Sequence, residues 1–163
     1  MATPTNLPAA VATGDVGTAA QFNNLRGAFR IMQVGANGTT SQSASTSTTF
    51  ANTALSASIT PQSTTSKILV MVNGFAFAST AATEATVRLV RDLGGISVLQ
   101  TGSAAYSSAG GVIGAYSFVY LDSPATTSSI TYRTQLARGA GTGVAYDEIN
   151  GSLTTITLME VSA

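Results

Sequence analysis

From Thr49 onward the chain falls into short apolar runs. They are separated by Gly, Pro, Ser and Asn and recur about every ten to fifteen residues, a spacing that argues for a β-sandwich. The runs predict strands over Thr49 to Ile59, Lys67 to Ala78, Ala85 to Arg91, Ile96 to Gly102, Val112 to Leu121, Ser129 to Arg138 and Thr154 to Val161. These suffice for two packed sheets.

Period-two alternation assigns faces to several of these strands. Val87 and Leu89 trade places with Arg88 and Arg91, and Ile156 and Leu158 with Thr155 and Thr157, so one side is expected to be buried and the other wet. Lys67 to Ala78, KILVMVNGFAFA, is apolar on both sides. Such a strand needs a second cover besides its own core. A subunit interface would supply it, through Leu69, Met71, Phe75 and Phe77. Tyr116, Phe118 and Tyr120 share one face, where aromatic residues more often serve a core or an interface than a ligand platform.

The first 48 residues have a different pattern. Residues 1–35 read as an arm with a short helix, 36–48 as a Ser/Thr-rich linker and 49–163 as the sandwich domain. Thr18 and Gln21 fit a capping box, and Phe22, Leu25 and Phe29 then lie at helical spacing. Pro4 and Pro8 favour an extended lead-in. Leu7, Phe22, Leu25 and Phe29 would expose apolar surface on a free arm, which makes them candidates for attachment to a partner. The competing reading lays the helix across an open edge of its own sandwich. The segment GANGTTSQSASTSTT, with Asn37-Gly38 as a turn signal, reads as a loop.

Composition narrows the function. Charged residues make up 9% of the chain, against about 25% in ordinary soluble domains. Ser and Thr, about a quarter of it, keep exposed strand faces wet instead. Seven basic and seven acidic residues cancel, so neither a nucleic acid nor an anionic membrane is an expected partner. No apolar run approaches a membrane span, and the start of the sequence lacks the pattern of a secretory signal.

Candidate chemistry is sparse. Without His or Cys, neither a Ser-His-Asp nor a Cys-His arrangement can be assembled, and imidazole or thiolate zinc sites are excluded. Oxygen-ligand sites need clustered carboxylates, and the one adjacent pair, Asp147-Glu148, reads as a solvated loop more readily than as an ion site. Nothing in the spacing of Glu84, Asp92, Asp122 and Glu160 favours a glycosidase pair. Asp122 before Ser123-Pro124 reads as a turn cap, Gly94-Gly95 as a hairpin turn and Gly139 to Gly143 as a flexible loop. No catalytic residue, metal ligand or cofactor is expected.

The block TFANTALSASITPQSTTSKILVMVNG, Thr49 to Gly74, resembles short bacteriophage virion proteins of the tail-fibre, minor tail and decoration type. YLDSP from Tyr120 with Tyr132 downstream, and TITLMEV from Thr155 to Val161, fit the same resemblance. GDVGTAAQFNNLRGAF, Gly14 to Phe29, is similar to the leading segments of such appendages.

The resemblance implies an all-β, antiparallel, jelly-roll-like sandwich, often trimeric and exposed on the virion. Its N-terminal arm would be bound to another particle component, and no enzymatic activity is implied. The expected protein is a homotrimeric exterior appendage or fibre subunit, assembled in the host cytoplasm among other phage virion proteins. The chain has no heptads, collagen triplets or room for a shaft, so a capsid decoration protein is the alternative. A further alternative is a host-receptor glycan-binding module. It would use the loops Ser103 to Gly111 and Gly139 to Asn150, with Tyr106, Tyr146 and Asp147 as contacts.

Overall fold

A computed structural model describes residues 30–162. Its ordered elements are all strands: β1 (Ile31–Thr39), β2 (Ser43–Ser45), β3 (Ala51–Ile59), β4 (Lys67–Ala78), β5 (Thr83–Asp92), β6 (Ile96–Ser107), β7 (Val112–Asp122), β8 (Ile130–Ala140), β9 (Ala145–Asp147) and β10 (Thr154–Val161). The expected arm and helix, with Leu7, Phe22, Leu25 and Phe29, lie outside the described residues.

The strands form two antiparallel sheets. In the first, β1 pairs with β10, β10 with β4 and β4 with β7, while β9 pairs with both β4 and β2. The second runs β3-β8-β5-β6. Apart from the two three-residue strands, the chain pairs its outermost long strands first and works inward: β1 with β10, β3 with β8, β4 with β7, β5 with β6. That is one long hairpin rolled up across two sheets, the jelly-roll form of the antiparallel sandwich. The fold is therefore the one expected.

Alternation places the core. Ile68, Val70 and Val72 of β4, Phe118 of β7, Ile156 and Leu158 of β10, Val87 and Leu89 of β5, and Ile130, Tyr132 and Leu136 of β8 all point between the sheets. Burying each such side chain contributes roughly 1.5–3 kcal/mol. Tyr116 and Phe118 stack at a tilt, 5.5 Å between ring centroids, in this interior.

Three local readings are corrected. Residues 31–35, expected in the arm, and 36–39 and 43–45, expected in the linker, are strands, because pairing with β10 and β9 supplies the ladder that their weak periodicity does not advertise. Asn37 stays in β1, where its Nδ2 donates to the Ser56 carbonyl at 2.8 Å, instead of turning the chain. Arg91 shares the parity of Val87 and Leu89, pairs with Tyr132 and turns inward to Asp122, whereas Arg88 turns outward. The Gly94-Gly95 hairpin is present, with Gly94 at φ 70°, a conformation that glycine adopts without steric cost.

Candidate functional site

The two outward faces of the sandwich differ in chemistry. On the first sheet, register places Val34, Met159, Leu69 and Leu121 side by side across β1, β10, β4 and β7. The next outward row is Ala36, Thr157, Met71 and Val119. Further along β4, Phe75 stands beside Ala115 and Phe77 between Ile113 and Tyr146. The Phe77 and Tyr146 rings lie 5.8 Å apart. None of these rows contains a charged side chain, and Val34 and Val119 are 58% and 61% exposed. Phe75 and Ile113, together with the turn Ile149 to Ser152, frame a shallow depression on the same side.

The second sheet's outward face carries a polar and charged network beside the exposed Ile96 and Val98 of its edge strand β6. Arg88 Nε donates to Gln135 Oε1 at 2.8 Å and Gln135 Nε2 to Asn52 Oδ1 at 2.7 Å. The Arg88 guanidinium lies 4.0 Å from the centroid of the Phe50 ring. Arg133 pairs with Asp92 at 2.8 Å.

The proposed contact residues separate accordingly. Leu69, Met71, Phe75 and Phe77 come together on the apolar face, and Tyr146 joins them there. Tyr106 is exposed on β6, the edge strand of the other sheet, where it pairs in register with Glu84, whereas Tyr146 lies on β9 of the first sheet. Asp147 is buried: it follows outward-facing Tyr146 on β9 and therefore points inward, out of reach of an external ligand.

Beneath that point lies a second feature that sequence reasoning missed. β9 and β10 run along one side of β4, interrupted by residues 148–153. Glu148 N–H bonds the Phe75 carbonyl at 3.1 Å, and Glu148 and Asn150 have φ of 55° and 54°. Gly74, in the gap, leaves the room that is needed. A Cβ there would lie 2.7 Å from Tyr116 Oη and 2.8 Å from Thr154 Oγ1.

Around that gap sit Tyr116, Asp147, Glu148 and Thr154, all buried. Tyr116 Oη donates to Asp147 Oδ1 at 2.7 Å. Among the described residues, Asp147 Oδ2, both Glu148 carboxylate oxygens and Thr154 Oγ1 complete no well-aligned hydrogen bond. Thr154 Oγ1 is nonetheless near enough to Glu148 and Tyr116 to influence both.

Burial pushes the Asp147 carboxyl up to about 6, against the opposing hydrogen bonds from Tyr116 and the Glu148 amide. Burial and the neighbouring Asp147 charge push Glu148 up to about 8. Burial, reinforced by Asp147, raises the Tyr116 hydroxyl far above its ordinary value. The ion pairs among the described residues, Arg91–Asp122 and Arg133–Asp92, leave this pair without a basic partner. The expectation of a solvated Asp147-Glu148 loop is thereby corrected. Both side chains face the interior, where an unpartnered ionised carboxylate costs several kcal/mol.

Other carboxylates are committed to structural contacts. Asp122 accepts from Arg91 Nη1 at 2.9 and 3.0 Å, Tyr132 Oη at 2.8 Å and the Ser123 amide at 2.9 Å. Glu160, fully buried, accepts from Gln33 Nε2 at 2.6 Å and the Gln62 amide at 2.7 Å. Burial raises the Glu160 pKa, but hydrogen bonds from Ser66, Gln33 and the Gln62 and Ser63 amides outweigh it, holding the group below its ordinary value. Among the described residues no three His, Cys, Asp or Glu side chains gather as a metal cluster, and no helix is long and apolar enough to cross a membrane.

No protein-family model and no curated protein matches the chain. Among solved structures it is similar to that of infectious bursal disease virus Gx strain, at 15% identity and a TM-score of 0.37, covering 81% of this chain and 38% of that one. The Gt strain structure gives 12% identity and a TM-score of 0.38 over the same shares. A mutant VP2 protein of the same virus, in derived T=1 particles, gives 15% and 0.32, over 81% of this chain and 36% of that one. The chain thus spans little more than a third of each of those chains.

Proposed function

We propose that the protein is a non-enzymatic structural subunit of a bacteriophage virion, which self-associates through the outward face of its first sheet. The observation that carries this reading is the pair of uncharged outward rows from Val34 to Leu121 and from Ala36 to Val119; beyond the polar row of Thr155, Asn73 and Ser117 the face turns apolar again at Phe75 and Phe77. A face of this kind, left in water, is an association surface. Its central rows carry no charge and Lys67 lies at the end of the face, so apposition of two copies over those rows strands no charge. The second face, which carries Arg88, Arg133 and Asp92, remains for solvent.

The resemblance of Thr49 to Gly74 to phage appendage proteins adds the setting. The oligomer is a trimer on the particle's exterior, and the arm carrying Leu7, Phe22, Leu25 and Phe29 docks on another virion protein. Committed Asp122 and Glu160 and the inward turn of Asp147 and Glu148 offer no carboxylate pair to a substrate in a groove, in keeping with a non-enzymatic role.

The test is immunogold labelling of density-banded phage particles with antibody to the protein. Regular exterior labelling supports the proposal. Protein found only in the unassembled lysate fraction contradicts it.

A further inference from the structure

We infer that Asp147, Glu148 and Thr154 form a binding site for a calcium-sized divalent cation at the break between β9 and β10. Two carboxylates are brought together there with no basic side chain among the described residues paired to them. Among the described residues three of their four oxygens complete no well-aligned hydrogen bond, and each residue is fully buried. Buried polar atoms are nearly always satisfied, so several orphans in one place indicate a missing partner.

The independent observation is Thr154. Its hydroxyl is also fully buried and completes no well-aligned hydrogen bond among the described residues, although it lies against the Tyr116 hydroxyl and Glu148. The fourth carboxylate oxygen, Asp147 Oδ1, is held by Tyr116 and fixes that carboxylate's orientation, as outer-shell partners do for metal ligands.

The donors are all oxygen, which selects a hard cation. Two carboxylates match a double positive charge, and a glutamate with both oxygens free can bind in bidentate fashion, which favours calcium over magnesium. The left-handed backbone at Glu148 and the bare Gly74 are the local features that turn the carboxylates inward.

The test uses the full chain with calcium, magnesium or EDTA. It reads the melting temperature and the tyrosine-sensitised emission of terbium, for which Tyr116 stands beside the site. In wild type, calcium at ~100 times Kd should raise Tm by about 5 °C or more. Terbium should emit and be displaced by calcium. Thr154→Val should weaken calcium binding about tenfold, a loss of ~1.4 kcal/mol, and Glu148→Gln should abolish both signals.

If calcium leaves Tm unchanged and terbium is dark, the inference is overturned and a proton holds the pair. It is equally overturned if emission persists in Glu148→Gln, or, should that variant not fold, if Thr154→Val binds calcium like wild type.

Discussion

Tyr132, fully buried on β8 of the second sheet, donates its hydroxyl to Asp122 on β7 of the first at 2.8 Å. Arg91 of β5 completes the link with 2.9 and 3.0 Å contacts to the same carboxylate. This clamp joins the two sheets at one end of the sandwich, and its partners are buried or partly buried, so removing one member strands the others. Asp122→Ala should cost about 3–5 kcal/mol, and Tyr132→Phe about 1–2 kcal/mol. Breaking the more exposed pair with Asp92→Ala should cost no more than about 1 kcal/mol. Urea unfolding of the three variants measures the order. Equal losses from Asp122→Ala and Asp92→Ala would contradict the clamp.

Gly74 carries a second prediction. A methyl group there meets Tyr116 Oη and Thr154 at 2.7–2.8 Å, and Thr154 cannot move without shifting β10. Gly74→Ala should therefore destabilise the fold by roughly 1–3 kcal/mol. The open turn at Gly95, with nothing near its Cβ, should accept alanine with little change. Thermal melts of the pair provide the comparison.

The buried acids give a pH dependence with a definite sign. Asp147 and Glu148 have folded pKa values of about 6 and about 8, above the ordinary 3.8 and 4.5. Over that interval the folded state binds more protons than the unfolded chain, so stability is greatest below the ordinary values and is lost as pH rises through the folded ones. Glu160, shifted downward, acts oppositely: its contribution is present above 4.5 and is lost at lower pH. The group facing the acids, Tyr116, titrates well above this window. In EDTA, Tm should fall between pH 5 and pH 8, and calcium should flatten the fall. A Tm that rises over this interval in EDTA would rule out the buried pair.

Much of this architecture is legible in the residue pattern. Lys67–Ala78 and Thr154–Val161 form strands over the limits their apolar runs predict, and the other five long runs shift only at their ends. The outward position of Leu69, Met71, Phe75 and Phe77 follows from the same alternation. β1, β2 and β9 are harder to read, because two are three residues long and β1, IMQVGANGT, owes its state to pairing with β10.

The inward turn of Asp147 and Glu148 has no local signature. It depends on Tyr146 facing out and on a backbone excursion against a distant strand. One signal was available, the lone glycine in an otherwise apolar strand. An isolated glycine there marks a close approach, and at Gly74 the approaching groups are Tyr116 and Thr154.

Self-association through the apolar face is the central claim, and Met71 and Val119, adjacent across β4 and β7, lie in the middle of it. Lysine at either position faces water in a monomer, so a Met71→Lys, Val119→Lys variant should stay folded while its interface is lost. The deciding measurement is the mass in solution by light scattering, for the full wild-type chain and this variant. Three chain masses for wild type and one for a variant with an unchanged circular dichroism spectrum are the predicted result. A monomeric wild type, or a variant that keeps the wild-type mass, would contradict the account.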